Sequence, residues 1–181
     1  MNICVYGASS TTLDESYLND AEKLGAAIAG HGFGLVFGGG VRGMMGAAAR
    51  GAKSAGGRVI GVAPSFFKPQ GVLYDGCDEF IYTETMRERK QKMEELSDGF
   101  IVMPGGIGTF EEFFEIFTLR QLGRHEKPIA LLNTNGYYNS LSDMLVRSCE
   151  EHFLREESLA FAPVLPDVDS VLKHVMDNLP Q

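Results

Sequence analysis

Short apolar runs rich in β-branched residues alternate with longer runs of helical periodicity along the whole chain, and few folds accommodate that order. Residues 3–6, 34–37, 58–63, 79–83, 100–103, 129–133 and 162–165 read as strands. Residues 17–30, 44–55, 86–97, 110–122, 138–153 and 168–178 read as the helices between and after them. Strands apolar on both faces need cover on both faces. The expectation is therefore an α/β fold with a doubly wound, mainly parallel sheet of about seven strands flanked by helices. With 181 residues, 44% of them hydrophobic, one core and a single domain over 1–181 are expected.

In such sheets ligands bind beyond the carboxyl ends of the strands, and three turns there are unusual. The first, Gly7-Ala8-Ser9-Ser10, is small and carries hydroxyls. The second is Gly38-Gly39-Gly40-Val41-Arg42-Gly43-Met44-Met45-Gly46. It fits GxGxxG loosely, but it follows the second strand, and the next strand ends in Val62-Ala63-Pro64 without a carboxylate for a ribose. That argues against a dinucleotide site.

The third turn, Pro104-Gly105-Gly106-Ile107-Gly108-Thr109, joins a buried strand to a helix that opens on Glu111 and Glu112. Free N–H groups at a helix start, with glycines that let a ligand approach the main chain, make a phosphate cradle. Thr109-x-x-Glu112 also reads as a capping box, in which Glu112 reaches back to the helix start. Capping does not account for three glycines and a proline in five positions. The turn lacks the GK[ST] ending of a nucleotide triphosphatase loop, and the chain has no Gly-x-Ser-x-Gly elbow.

Met86-Arg87-Glu88-Arg89-Lys90-Gln91-Lys92-Met93 brings four cations to a helix start near the same sheet edge, against the dipole preference. An arginine fork suits a phosphate or carboxylate. Phe110, Phe113, Phe114 and Phe117 form an aromatic stripe expected in the core or at a subunit interface. Residues 64–76, with two prolines and exposed aromatics, read as an irregular connection that is either a flap over the site or an ordered loop packed by Phe66 and Phe67.

A net charge of −8 and no long Lys/Arg run argue against nucleic acid and favour a small ligand. Three scattered cysteines suggest neither disulfides nor a thiolate metal site, and a reducing cytoplasm fits them. The four histidines lack metal-ligand spacing, so no metal is expected. No run reaches the ~18 apolar residues of a membrane span, and no secretory signal opens the chain.

Taken in order, GGGVRGMMG, Arg89-Lys90 and PGGIGTFEE, with Gln121-Leu122-Gly123 and residues 135–140 (NGYYNS), are similar to the LOG, or "Lonely guy", family of cytokinin riboside 5′-monophosphate phosphoribohydrolases, once labelled lysine decarboxylases. The resemblance spans nearly the whole chain. It implies a Rossmann-like homodimer, without cofactor, that hydrolyses the N-glycosidic bond of a purine nucleoside 5′-monophosphate. It further implies Arg89 and Glu112 as the catalytic pair, and Gly105, Gly106, Ile107, Gly108 and Thr109 as the 5′-phosphate site. Lys90, Met86, Ser9, Gly39 and Gly40 complete the substrate contacts it implies. Breaking the C1′–N9 bond develops oxocarbenium character, which a carboxylate beneath the ribose stabilises. No residue in these motifs is an evident general acid for the leaving base. Arg87 stands where the family has His and Phe110 where it has Leu, and residues 66–76 lack the family's acidic residues, which leaves the base open. Two other readings stay on the table. One is a nucleotide or cofactor carrier like the molybdenum-cofactor carrier proteins, and the other is the pyridoxal phosphate decarboxylase of the old label, which needs a Schiff-base lysine.

Overall fold

A computed structural model describes residues 1–180. Seven parallel strands form one sheet: β1 (Asn2–Tyr6), β2 (Gly34–Phe37), β3 (Val59–Pro64), β4 (Glu79–Thr83), β5 (Gly99–Val102), β6 (Ile129–Leu132) and β7 (Val164–Leu165). Six helices connect or follow them: α1 (Glu15–Gly30), α2 (Gly43–Ser54), α3 (Met86–Leu96), α4 (Ile107–Gln121), α5 (Asn139–Glu150) and α6 (Val168–Asp177). Strand order is β4-β3-β2-β1-β5-β6-β7. The chain winds outward from β1 to β4, then crosses back to place β5 on the other side of β1. That reversal opens a crevice above the carboxyl ends of β1 and β5, where neighbouring connections leave on opposite faces.

The strands are buried on both faces because alternate residues feed two cores. Ile3, Val5, Leu35, Phe37, Ile101 and Met103 pack with residues of α1, α2 and α6. Cys4, Tyr6, Val36, Val62, Phe100 and Val102 pack on the opposite face with Met93 of α3 and Phe113, Ile116 and Phe117 of α4. The aromatic stripe expected on α4 is thus split: Phe113 and Phe117 are core, while Phe110 and Phe114 pack at its margin.

Local chemistry sets the helix starts. Asp14 and Asp167 cap α1 and α6, accepting from Ser16 N at 2.9 Å and Ser170 N at 2.8 Å. The N-terminus of α3 is capped by Thr85, whose Oγ1 accepts from Glu88 N at 3.1 Å, while Glu88 Oε2 reaches back one residue further and accepts from Glu84 N at 2.9 Å. This arrangement offsets the cations crowded into that helix start. The segment expected to be irregular contains a 3-10 helix over Ser65–Gln70, then crosses back so that Val41 N donates to Val72 O and Tyr74 N to Gly39 O, both at 2.9 Å. The last strand is shorter than its apolar run, because only Val164 and Leu165 reach β6.

Helices α1 and α2 lie backbone against backbone. A Cβ on Gly25 would come within 1.9 Å of Ala48 O, and one on Gly51 within 2.0 Å of Glu22 O. Neither carbonyl can move without breaking its helix. Gly25→Ala should therefore destabilise the protein by about 1–3 kcal/mol in urea unfolding, whereas Gly30→Ala, at the open end of the same helix with nothing near its Cβ, should gain about 0.4–1 kcal/mol.

Candidate active site

A cavity of about 580 Å³ occupies the crevice above β1 and β5. Its walls come from the turn after β1 (Gly7 to Ser10), the turn after β2 (Gly38, Gly40, Arg42, Met45), the 64–76 segment (Phe67, Gln70, Val72, Leu73), α3 (Met86, Arg89) and the start of α4 (Gly106, Gly108, Thr109, Glu112).

Arg89 and Glu112 form its charged floor. Arg89 Nη1 donates to Glu112 Oε1 at 2.6 Å, and its Nε donates to Val62 O at 3.2 Å. Each side chain is only 8% exposed, so both charges have left water and depend on each other. Room for the guanidinium is made by a missing side chain, since a Cβ on Gly38 would sit 2.0 Å from Arg89 Nη2. Burial raises the Glu112 carboxyl above its ordinary value, opposed chiefly by the Arg89 charge and hydrogen bond. The capping-box alternative for Glu112 fails here because Ile107 already lies in α4, which puts Thr109 and Glu112 inside the helix and turns the carboxylate toward Arg89.

The two helix starts beside the cavity differ. At α2, Met44 N and Met45 N donate to Ala8 O at 2.9 and 3.4 Å, and Gly43 adopts φ +60° with its Cα pressed against that same turn. Those donors are taken. At α4 the N-cap is Gly106, which has no side chain to offer, so the first-turn N–H groups have no side-chain cap, and Gly106, Gly108 and Thr109 line the cavity. Gly105 is needed for a neighbour: a Cβ there would strike Thr109 Oγ1 at 2.1 Å.

Of the residues expected from sequence, the fold gathers Ser9, Gly40, Met86, Arg89, Gly106, Gly108, Thr109 and Glu112 on one cavity. Gly39, Gly105, Ile107 and Lys90 lie outside its lining. Gly39, at φ +76°, lets the chain pass the Phe80 ring, which a Cβ would approach to 2.6 Å. Ile107 is 83% exposed. Lys90 Nζ bonds Glu111 Oε1 at 2.7 Å and also meets Glu115; burial alone would lower its pKa, and the two glutamates reverse that. Gly38, Arg42, Phe67 and Gln70 were not singled out as site residues from sequence. Gly38 belongs to the glycine-rich second turn. Arg42 belongs to the same turn, whereas Gln70 carries no pattern signal and reaches the cavity because residues 72–74 cross back over that turn.

The raised carboxyl has a stability signature. A native proton held more firmly than in the unfolded chain favours folding at low pH, and that contribution disappears as pH rises through the native pKa. Wild-type stability relative to Glu112→Gln should therefore fall from pH ~4 upward. Carbon-detected NMR should place the Glu112 midpoint above the ordinary 4.5, and higher still in Arg89→Met.

The chain matches a family model described as "Possible lysine decarboxylase" over residues 45–175. It is 39% identical over 171 residues to the cytokinin riboside 5′-monophosphate phosphoribohydrolase of Mycobacterium tuberculosis, covering 94% of this chain and 91% of that protein. With cytokinin riboside 5′-monophosphate phosphoribohydrolase LOG1 of Arabidopsis thaliana it shares 36% over 179 residues, covering 99% and 84%. Among solved structures, the molybdenum cofactor carrier protein of Chlamydomonas reinhardtii superposes with a TM-score of 0.74 at 26% identity over 97% of each chain. With these glycine turns and relatives matching across nearly its full length, the chain belongs to the LOG family.

Proposed function

We propose that the protein is a nucleoside 5′-monophosphate phosphoribohydrolase that releases a purine base, adenine or an N6-modified adenine of cytokinin type, and ribose 5-phosphate. The observation that carries this reading is the buried Arg89–Glu112 pair at 2.6 Å beside the open start of α4. Relatives named for that reaction, at 36% and 39% identity over nearly the full chain, support the same activity.

In this reading the 5′-phosphate takes the N–H groups and hydroxyl from Gly106 to Thr109, which places the ribose over the charged floor. The base lies toward Phe67, Gln70, Val72 and Leu73, an apolar wall with one amide. The C1′–N9 bond breaks with its electron pair leaving on N9. Water then adds its oxygen to C1′, and its proton ends on the base. Glu112 stabilises the positive charge building on the ribose and orients or deprotonates the water. A carboxylate made more basic by burial suits that second task. Arg89 holds Glu112 in place and keeps it ionised while substrate is bound.

The molybdenum cofactor carrier likeness favours a second reading, a carrier that binds without cleaving. A buried carboxylate aligned by an arginine is a costly feature for simple carriage. The decarboxylase description fits less well, because the cavity lining contains no lysine and Lys90 is held by two glutamates.

The whole chain is proposed to act as one domain and to assemble as a homodimer, for which exposed Ile107 and Leu122 at the two ends of α4 offer apolar surface. A cytoplasmic setting is supported by three free cysteines. No described helix is long and apolar enough to cross a membrane.

Purified protein incubated with AMP, GMP, CMP and isopentenyl-AMP should release purine base and ribose 5-phosphate, detected by chromatography. Glu112→Gln and Arg89→Ala should each lose about 100-fold or more in kcat. Nucleotide binding without base release by the wild type would instead establish the carrier reading.

A further inference from the structure

Residues 133–140 carry one of the chain's most distinctive runs, yet none of them lines the cavity. The loop is stiffened from within: Tyr138 N donates to Asn133 Oδ1 at 2.7 Å, Asn133 Nδ2 to Asn139 Oδ1 at 2.8 Å, and Asn135 adopts φ +55°. It is tied to α1 through Thr134 Oγ1 to Asp20 Oδ2 at 2.6 Å and Asn135 Nδ2 to Ser16 Oγ at 2.8 Å. From this anchored loop two hydroxyls reach the turn between β5 and α4. Tyr138 donates to Met103 O at 2.7 Å, and Tyr137 donates to Gly105 O at 2.6 Å. The carbonyl between them, Pro104 O, accepts from Ala8 N at 3.1 Å.

Three consecutive carbonyls of the turn are therefore held by donors. In a planar trans peptide the C=O and the following N–H point in opposite directions. Fixing the Gly105 carbonyl on Tyr137 thus aims the Gly106 N–H the other way, and Gly106 lines the cavity whereas Gly105 does not. Glycine on both sides of that peptide offers little steric resistance to rotation. Were the plane to turn over, a carbonyl oxygen would face the anion site.

We propose that Tyr137 is a positioning residue whose hydroxyl locks the Gly105–Gly106 peptide with its N–H toward the cavity, and so sets how strongly the protein prefers 5′-phosphorylated ligands over unphosphorylated ones. The inference rests on the reading above that the phosphate sits at the start of α4. It gives the NGYYNS run a task that neither catalysis nor core packing supplies.

Tyr137→Phe keeps the ring and its edge-on contacts with Tyr17 and Tyr138 and removes only the hydroxyl. Titration calorimetry with ribose 5-phosphate should show Kd about tenfold weaker than wild type, with a parallel rise in KM for AMP and kcat within about threefold. Adenosine, as a competitive inhibitor without a phosphate, should keep its Ki. Thermal melting reports whether the variant is folded. An unchanged ribose 5-phosphate Kd, or a common loss for AMP and adenosine, overturns the role of Tyr137. Should wild type bind ribose 5-phosphate but release no base from AMP, the hydrolase reading fails alone, and the calorimetric comparison still decides for or against Tyr137. A wild type that binds no ribose 5-phosphate overturns the phosphate site at α4 and with it the role of Tyr137, while base release from AMP alone decides the hydrolase reading.

Discussion

Everything around the cavity is arranged about one ion pair sealed from water. A guanidinium and a carboxylate with 8% of each side chain exposed are stable only if geometry and further hydrogen bonds replace the hydration they give up. Arg89 obtains these from Glu112 and from the end of β3 at Val62 O. The space comes from Gly38, where any side chain would collide with the guanidinium. Three elements far apart in sequence thus meet at one charge, and the cavity floor is the place where they meet.

The same constraint separates two glycine-rich turns that look alike as text. The turn after β2 uses its glycines for close approach: Gly38 beneath Arg89, Gly39 beneath Phe80, Gly43 against Ala8 O. Its helix start is already satisfied by the turn after β1. The turn after β5 keeps its helix start open, and its carbonyls are held by Ala8 and two tyrosines. Only this second arrangement leaves a helix start without a side-chain cap beside the cavity, which is why the proposed phosphate site lies at α4 and not at the longer glycine run.

Much of the fold was legible from pattern. Period-2 apolar runs such as Cys4 with Tyr6 against Ile3 with Val5 feed opposite cores, and the parallel sheet follows from strands buried on both faces. Errors gather at ends, where periodicity is silent. The start of α4 moved from the Thr109 region to Ile107 because glycine carries no capping signal, and that shift removed the capping role from Glu112. The 64–76 segment, legible only as an irregular connection, is an ordered loop with Phe66 against Phe67 that also walls the cavity; its 3-10 helix and its pairing with residues 39–41 depend on a distant turn. Lys90, adjacent to Arg89 in sequence, faces Glu111 and Glu115 instead of the cavity, because neighbours on a helix point about 100° apart.

By itself the sequence determined the alternation of elements, the two glycine turns, the acidic charge and the identities of the arginine and glutamate. Each of these is local, set by side-chain periodicity, backbone freedom or composition. The tertiary structure decided which helix start stays open, which oxygen of Glu112 Arg89 holds, what Gly38 is for, and how two tyrosines orient the turn before α4. These depend on contacts between residues 23 to 51 positions apart, such as Arg89 with Glu112 and with Gly38, and no local pattern encodes the burial that makes such contacts strong.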